Sequence, residues 1–270
     1  MKIFLGPAGN CMTAEEEGTI GSLSHVKKLG LHAQEIEFVR SVYMKNNTAQ
    51  ETGKEAERLG IRLSIHAPYF VNLCNPEKLE ASMKRITDSA ERGHHMNASV
   101  VVFHPGYYGK LEKKEALRRV KEACAEMGSL LRDNGWDVKL GPETTGKVSQ
   151  FGTVDEILSI CEDVKECVPV IDWSHLFAKY QGKPDFRGLL KSVTDAGFRE
   201  IHTHFSNIEF TEKGERRHLT LDHRQPDFAD VAKIILESDI KEITIISESP
   251  ILEKDSLVMK NVLEELGHSF

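Results

Sequence analysis

Short apolar runs alternate with longer stretches of helical period along this 270-residue chain, and the alternation repeats eight times. The runs are Lys2 to Gly6, Ala33 to Phe38, Arg62 to His66, Ser99 to His104, Val138 to Glu143, Val168 to Asp172, Glu200 to His204 and Glu242 to Glu248. Each is strand-length, and most are rich in β-branched residues, as expected of strands buried on both faces of a parallel sheet. No long linker, low-complexity tract or shift of composition interrupts the series. Strand-then-helix units repeated in this way predict an α/β fold, most simply a closed (β/α)8 barrel forming one domain over residues 1–270. A doubly wound open sheet is the competing architecture. It calls for a G-x-G-x-x-G turn after the first strand, and Gly6-Pro7-Ala8-Gly9 does not have that spacing.

Local signals mark where the helices should start and stop. Thr13 with Glu16, Thr48 with Glu51 and Thr153 with Glu156 match the capping-box spacing, and Pro226 suits a first helical turn. Gly30, Gly60, Gly135, Gly197 and Gly267 follow helical stretches, where a left-handed residue can close the last turn. The first apolar run breaks at Gly6-Pro7, too soon for a signal-peptide core, and no stretch reaches the length of a membrane span. These features predict a protein of the cytoplasm with no membrane partner. The five cysteines, Cys11, Cys74, Cys124, Cys161 and Cys167, are scattered without a C-x-x-C pair and are expected to be reduced core residues. A formal charge of −7 argues against a protein that coats nucleic acid through a broad basic surface, while leaving room for a deep site with its own cations.

In a barrel the chemistry gathers at the C-terminal ends of the strands, and here those ends share a chemical character. The third run ends at His66, the fourth at His104, the fifth at Glu143, the sixth at Asp172, the seventh in His202-Thr203-His204, and the eighth at Glu248. The sixth adds His175 three residues further on; in the plain reading Asp172 merely caps the next helix and His175 lies in a surface loop. Carboxylates brought together in a low-dielectric mouth repel one another unless cations sit among them. No matching group of lysines or arginines stands at these ends, so bound metal is the economical solution. Imidazoles mixed with carboxylates suit zinc or manganese better than magnesium.

The same positions carry a family resemblance. Ser64-Ile65-His66-Ala67-Pro68-Tyr69-Phe70-Val71-Asn72-Leu73, Val102-Phe103-His104-Pro105-Gly106, Gly141-Pro142-Glu143-Thr144, Ile171-Asp172-Trp173-Ser174-His175 and Ser247-Glu248-Ser249-Pro250 together resemble the endonuclease IV family. These DNA-repair enzymes cut at abasic sites and are built on a TIM barrel holding three zinc ions. The resemblance implies that His66 and His104 hold one metal and that Glu143 bridges it to a second, completed by Asp172, His202 and Glu248. His175 and His218 would belong to a third. His202 is preferred over His204 because Ser206 then keeps the register of the family's H-x-N-D-S pattern. Where the family has D-R-H, this chain reads Glu215-Arg216-Arg217-His218, so either Glu215 reaches the third metal from one residue further back or the third site is altered.

What the resemblance implies is hydrolysis of the phosphodiester 5′ to an abasic site in double-stranded DNA by a metal-bridged hydroxide held at Glu143, leaving a 3′-hydroxyl. Zinc would be the cofactor, with manganese able to serve in part, and the enzyme would act as a monomer. Three divalent ions would bring the formal charge from −7 to −1 and concentrate positive charge where the scissile phosphate sits. Tyr69 and Phe70 would form the wedge that enters the base stack, or, in the plain reading, pack their loop onto the barrel rim. Arg40 would fill the gap left by the lesion, and Arg216 and Arg217 would contact backbone phosphates. Two alternatives stand beside this reading. A single-metal sugar isomerase or epimerase of the xylose isomerase-like barrel needs only a Glu, Asp, His and Glu set, which Glu143, Asp172, His202 and Glu248 could supply. A non-catalytic lesion-binding relative would keep Tyr69 and Phe70 without cutting.

Overall fold

All eight predicted strands are present in the computed structural model, which describes residues 1–270. In chain order the strands are β1 (Lys2–Pro7), β2 (Ala33–Glu37), β3 (Arg62–His66), β4 (Val100–Phe103), β5 (Lys139–Pro142), β6 (Val170–Asp172), β7 (Glu200–Phe205), β8 (Asn207–Thr211), β9 (Gly214–Leu219) and β10 (Glu242–Ser247). β8 and β9 form an antiparallel hairpin in a stretch where the apolar pattern predicts no strand. The remaining eight fall into two sheets of order β2-β3-β4-β5 and β1-β10-β7-β6. With the hairpin set aside, neighbours in each sheet are consecutive in the chain, and the first strand pairs in parallel with the last, Lys2 against Glu242 through Pro7 against Ser247.

The chain divides into two compact units, one comprising Met1–Gln34, Gly146–Val148 and Ile171–Phe270, the other Glu35–Thr145 and Ser149–Val170. In the second unit the core runs through Val100, Val102 and Val170, with Val168 packed against them. Burial of each such side chain is worth about 1.5–3 kcal/mol. A residue larger than Gly141 would not fit among them, because its Cβ would stand 2.6 Å from a methyl of Val100 and 2.7 Å from one of Val170. In the first unit Leu5, Ile243 and Ile245 are buried on paired strands, and Phe205 meets Phe228 edge-on at 4.8 Å. Gly6 is required by the start of β2, whose Ala33 carbonyl oxygen occupies the position of a side chain.

The helix starts follow the sequence signals in part. Thr153 and Glu156 make the expected capping box at the helix Val154–Asp163. Thr13 and Thr48 do not cap: the first helix begins at Gly18 after Glu17, while Thr13 bonds the Glu253 carboxylate, and Thr48 lies inside the helix Asn46–Leu59. Pro226 stands just before its helix, which Asp227 caps at Phe228. The β6–β7 connection holds two helices, Trp173–Lys179 and Phe186–Asp195. All five cysteines are free and buried, as expected. No helix is long and apolar enough to cross a membrane.

Candidate metal centre

The strands of the second unit deliver their last residues to a common cluster. His66 ends β3, His104 follows β4, and Glu143 follows β5, with its N–H donated to the Phe103 carbonyl. Glu143 Oε2 lies 3.3 Å from His66 Nε2 and 2.9 Å from His104 Nε2. The His66 ring is oriented by a 2.9 Å hydrogen bond between Nδ1 and the Ala67 carbonyl, which turns Nε2 toward the carboxylate. Asn72 ties the two histidine loops together: its Oδ1 accepts from Cys74 N at 3.1 Å and from Tyr107 N at 3.2 Å. Gly106 makes this contact feasible, since a Cβ there would come within 2.4 Å of that oxygen. Burial by itself would lower the pKa of His66. The hydrogen bond to Glu143 and the charges of Glu37, Glu143 and Glu35 outweigh it and raise the pKa to about 10. The balance favours a protonated imidazole beside the Glu143 carboxylate.

The first unit carries two further donor groups that share one carboxylate. Ligand atoms of Asp172, His204 and Glu248 lie within 4.8 Å of one another, and so do those of His175, His218 and Glu248. Glu248 Oε1 stands 3.4 Å from His204 Nδ1 and Oε2 3.8 Å from His218 Nδ1, one oxygen to each imidazole. Asp172 serves twice. Its Oδ1 accepts the His175 N–H at 2.6 Å, capping the helix Trp173–Lys179, while Oδ2 lies 3.4 Å from His175 Nδ1. The plain reading of Asp172 as a helix cap therefore holds, and the cap leaves Oδ2 beside the His175 ring, but His175 is buried, only 2% exposed, and is no surface-loop residue. Ser174 joins the ends of β6 and β7, its hydroxyl donating to the Ser206 carbonyl at 2.5 Å and accepting the Ser206 N–H at 2.8 Å. Ser206 Oγ in turn is hydrogen-bonded to His218 Nδ1 at 2.7 Å.

The seventh strand offers two imidazoles, and they are placed differently. His204, rather than His202, joins Asp172 and Glu248. Both imidazoles face the same side of β7, being two residues apart. In the register with β10, however, His202 is level with Thr244, whereas His204 is level with Ile246, and the Glu248 N–H bonds the Phe205 carbonyl. Placement by the position of Ser206 points to His202, two residues deeper in the strand than the imidazole that lies with Asp172 and Glu248.

The hairpin turns Glu215 toward His175. Opposite residues are Ile208 with His218, Glu209 with Arg217 and Phe210 with Glu215, and the register shifts between Glu209 and Phe210 so that Arg216 is the extra residue of a β-bulge. Without the bulge Glu215 would face away from His218. With it the two share a face, and Glu215 Oε2 reaches within 3.6 Å of His175 Nε2. Gly146 completes the fit: a Cβ at that position would stand 2.6 Å from Glu215 Cβ and 3.1 Å from the His175 ring. The role of Gly146, the sharing of Glu248 and the tie made by Asn72 all escape a reading of the sequence. Gly146 and Asn72 lie in or beside the conspicuous motifs, but nothing in their spacing marks the contacts they make.

The expected DNA-contact residues are displayed rather than packed. Tyr69 is 50% and Phe70 65% exposed, Arg40 is exposed, and Tyr69 leans its ring edge on His66 at 5.3 Å. Arg216 and Arg217 are exposed on the hairpin. Two surface grooves, of about 500 and 600 Å³, lie on helix faces and contain none of the cluster residues, so donor chemistry and not volume marks the site. Buried carboxylate oxygens and imidazole nitrogens at these separations are a sound donor set for zinc or manganese.

The chain matches the xylose isomerase-like TIM barrel family over residues 23–265. It belongs to that family. Its fold is accordingly the (β/α)8 barrel that the eightfold alternation predicts, and the first-to-last strand pairing agrees with that fold. A protein of Methanocaldococcus jannaschii described as uncharacterised is 35% identical over 98% of both chains. A probable endonuclease 4 of Mycoplasmopsis pulmonis is 25% identical over 70% of each. Among solved structures, a D-tagatose 3-epimerase-like protein superposes with a TM-score of 0.73 at 21% identity, covering 98% of this chain and 96% of its own. Endonuclease IV of Thermus thermophilus superposes with a TM-score of 0.72 at 22% identity, covering 96% of this chain and 99% of its own. The chain thus has a probable endonuclease 4 among its relatives and shares its fold with a D-tagatose 3-epimerase-like protein and an endonuclease IV.

Proposed function

We propose that this protein is a metal-dependent endonuclease that hydrolyses the phosphodiester 5′ to abasic sites in double-stranded DNA, leaving a 3′-hydroxyl, and that it does so as one barrel domain and as a monomer. The observation that carries this reading is the number of imidazoles at the strand ends. His66 and His104 attend Glu143, and His175 and His218 attend Glu248, in addition to the Asp172, His204 and Glu248 set. A single-metal isomerase has no use for four extra imidazoles. Zinc is the cofactor the donors fit best, with manganese able to replace it in part. When bound, such cations supply Lewis acidity toward phosphate oxygens and an activated water at neutral pH.

The chain's own residues then divide the work. Glu143 presents one carboxylate to two imidazoles and is the group on which the reaction depends most. Tyr69 and Phe70, held outward on the loop after β3, enter the base stack and keep the abasic nucleotide extruded. Arg40 occupies the space left in the duplex, and Arg216 and Arg217 contact the phosphate backbone.

The second reading, a ketose epimerase or isomerase, is favoured by one observation: Asp172, His204 and Glu248 supply two carboxylates and an imidazole, three of the four donors a single-metal sugar site needs. The two readings separate in one experiment. Protein purified without added metal is analysed for zinc and manganese, then assayed on a duplex with one abasic site and on a panel of ketoses. About three equivalents of metal with incision is the expected result. About one equivalent, with ketose epimerisation and no incision, would overturn the proposal.

A further inference from the structure

The bulge that turns Glu215 inward has a second effect on the opposite face of the hairpin. Consecutive residues of a strand ordinarily point to opposite sides, yet Arg216 and Arg217 converge on the same partner. Arg216 Nη1 lies 2.5 Å from Glu209 Oε1, and Arg217 Nε lies 2.6 Å from Glu209 Oε2. Both guanidinium groups are largely exposed, and the Glu209 carboxyl is held below the ordinary carboxylate range, first by its bond to Arg217 and then by the charges of both arginines. The hairpin therefore has an inner face of metal-ligand type, Glu215 and His218, and an outer face carrying two arginines on one carboxylate.

We infer that Glu209 is an intramolecular competitor for the phosphate-binding arginines, a built-in anion that a nucleic-acid backbone must displace or share before Arg216 and Arg217 can engage it. This rests on the nucleic-acid reading above and extends it to a residue that touches neither metal ligands nor substrate. Each arginine keeps donors unused by Glu209, so the backbone has somewhere to begin. An exposed ion pair contributes little to stability, so the hairpin gives up Glu209 readily. Removing the carboxylate should gain more from lost repulsion against phosphate than it loses in ordering of the two side chains, because a phosphate bound to either arginine would lie close to the carboxylate charge. The consequence is restraint: contact with undamaged DNA is weakened at the outer face, while recognition at the strand ends is left to discriminate.

The test compares four proteins, wild type, Glu209→Gln, Arg216→Ala with Arg217→Ala, and the triple variant, for binding to a fluorescent undamaged duplex and to the same duplex with an abasic site, across a salt series. Glu209→Gln is expected to tighten binding to both duplexes by about 3- to 10-fold at low salt, to lose the gain at high salt, and to steepen the salt dependence by about one counterion. In the double-arginine background the same substitution should change nothing. Unchanged or weaker binding by Glu209→Gln, with incision intact, would overturn the inference and leave the nuclease reading standing. A gain that persists without the arginines would also overturn it. Glu209-dependent duplex binding in a protein that never incises would instead remove the nuclease reading alone.

Discussion

Glu143 is the side chain on which most of the proposed chemistry converges, since a single carboxylate oxygen lies within 3.3 Å of two imidazoles. Glu143→Gln keeps the size of the side chain and removes its charge. We expect incision to fall by about 100-fold or more, with a matching loss of metal and an unchanged circular dichroism spectrum. Near-native cutting by that variant would take Glu143 out of the mechanism. The His204 assignment has its own check. His204→Ala should lower both metal content and incision, while His202→Ala, two residues further from the strand end, should affect metal content much less; equal losses would return the ligand to His202. The candidate donors as a class were legible because a strand end followed by Asp, Glu or His can be seen in a string of letters. Which of two imidazoles on one strand face meets Glu248 depends on the register of β7 against β10, and no letter in the sequence encodes that pairing.

At the scale of elements, the eight parallel strands were readable from apolar runs bounded by polar breaks, while the hairpin was not. Its strands, Asn207–Thr211 and Gly214–Leu219, carry too many charges to stand out as apolar runs. Of the two capping boxes that do not form, the one at Thr13 is lost to a distant partner, because its hydroxyl is drawn to Glu253, 240 residues away. The hairpin's docking to residues 146–148 gives a clean test of the bulge. Gly214, at φ +92°, lets the Gly146 carbonyl approach, and Gly146 leaves the space into which Glu215 projects. Gly146→Ala should cost about 1–3 kcal/mol of stability, and should release about one equivalent of metal as Glu215 is pushed from His175. Thermal unfolding and metal analysis on the same preparation would read both. Full metal content in Gly146→Ala would mean that Glu215 is not a ligand.

For the molecule as a whole, the proposed function would have an acidic chain of net charge −7 reach a polyanion through cations held at its strand ends. That dependence makes the metal-free protein sensitive to pH in a direction that can be worked out. His66 is raised from 6.5 to about 10 in the fold, so the protonated imidazole stabilises the native state fully below pH 6.5, and the contribution is lost as pH rises through about 10. Chelated protein should therefore lose stability across that alkaline window in urea titrations. His66→Asn should flatten the slope, and an unchanged slope would assign the effect to another group. Metal competes with this proton for the same nitrogen, so loading at about pH 8 should release protons, measurable as a dependence of the calorimetric binding heat on the ionisation enthalpy of the buffer.

The division of Glu248 between two imidazoles, Oε1 toward His204 and Oε2 toward His218, bears on how the protein fills with metal. A carboxylate fixed by a cation on one oxygen has already lost its rotational freedom when the second cation arrives, so the later ion meets a ligand that costs less to order. The two neighbouring positions should fill as a pair: titration of chelated protein with zinc should show few singly loaded molecules by native mass spectrometry, and Glu248→Gln should make the same titration proceed one ion at a time. A cell poor in zinc would then hold few molecules with one of these two positions filled and its neighbour empty.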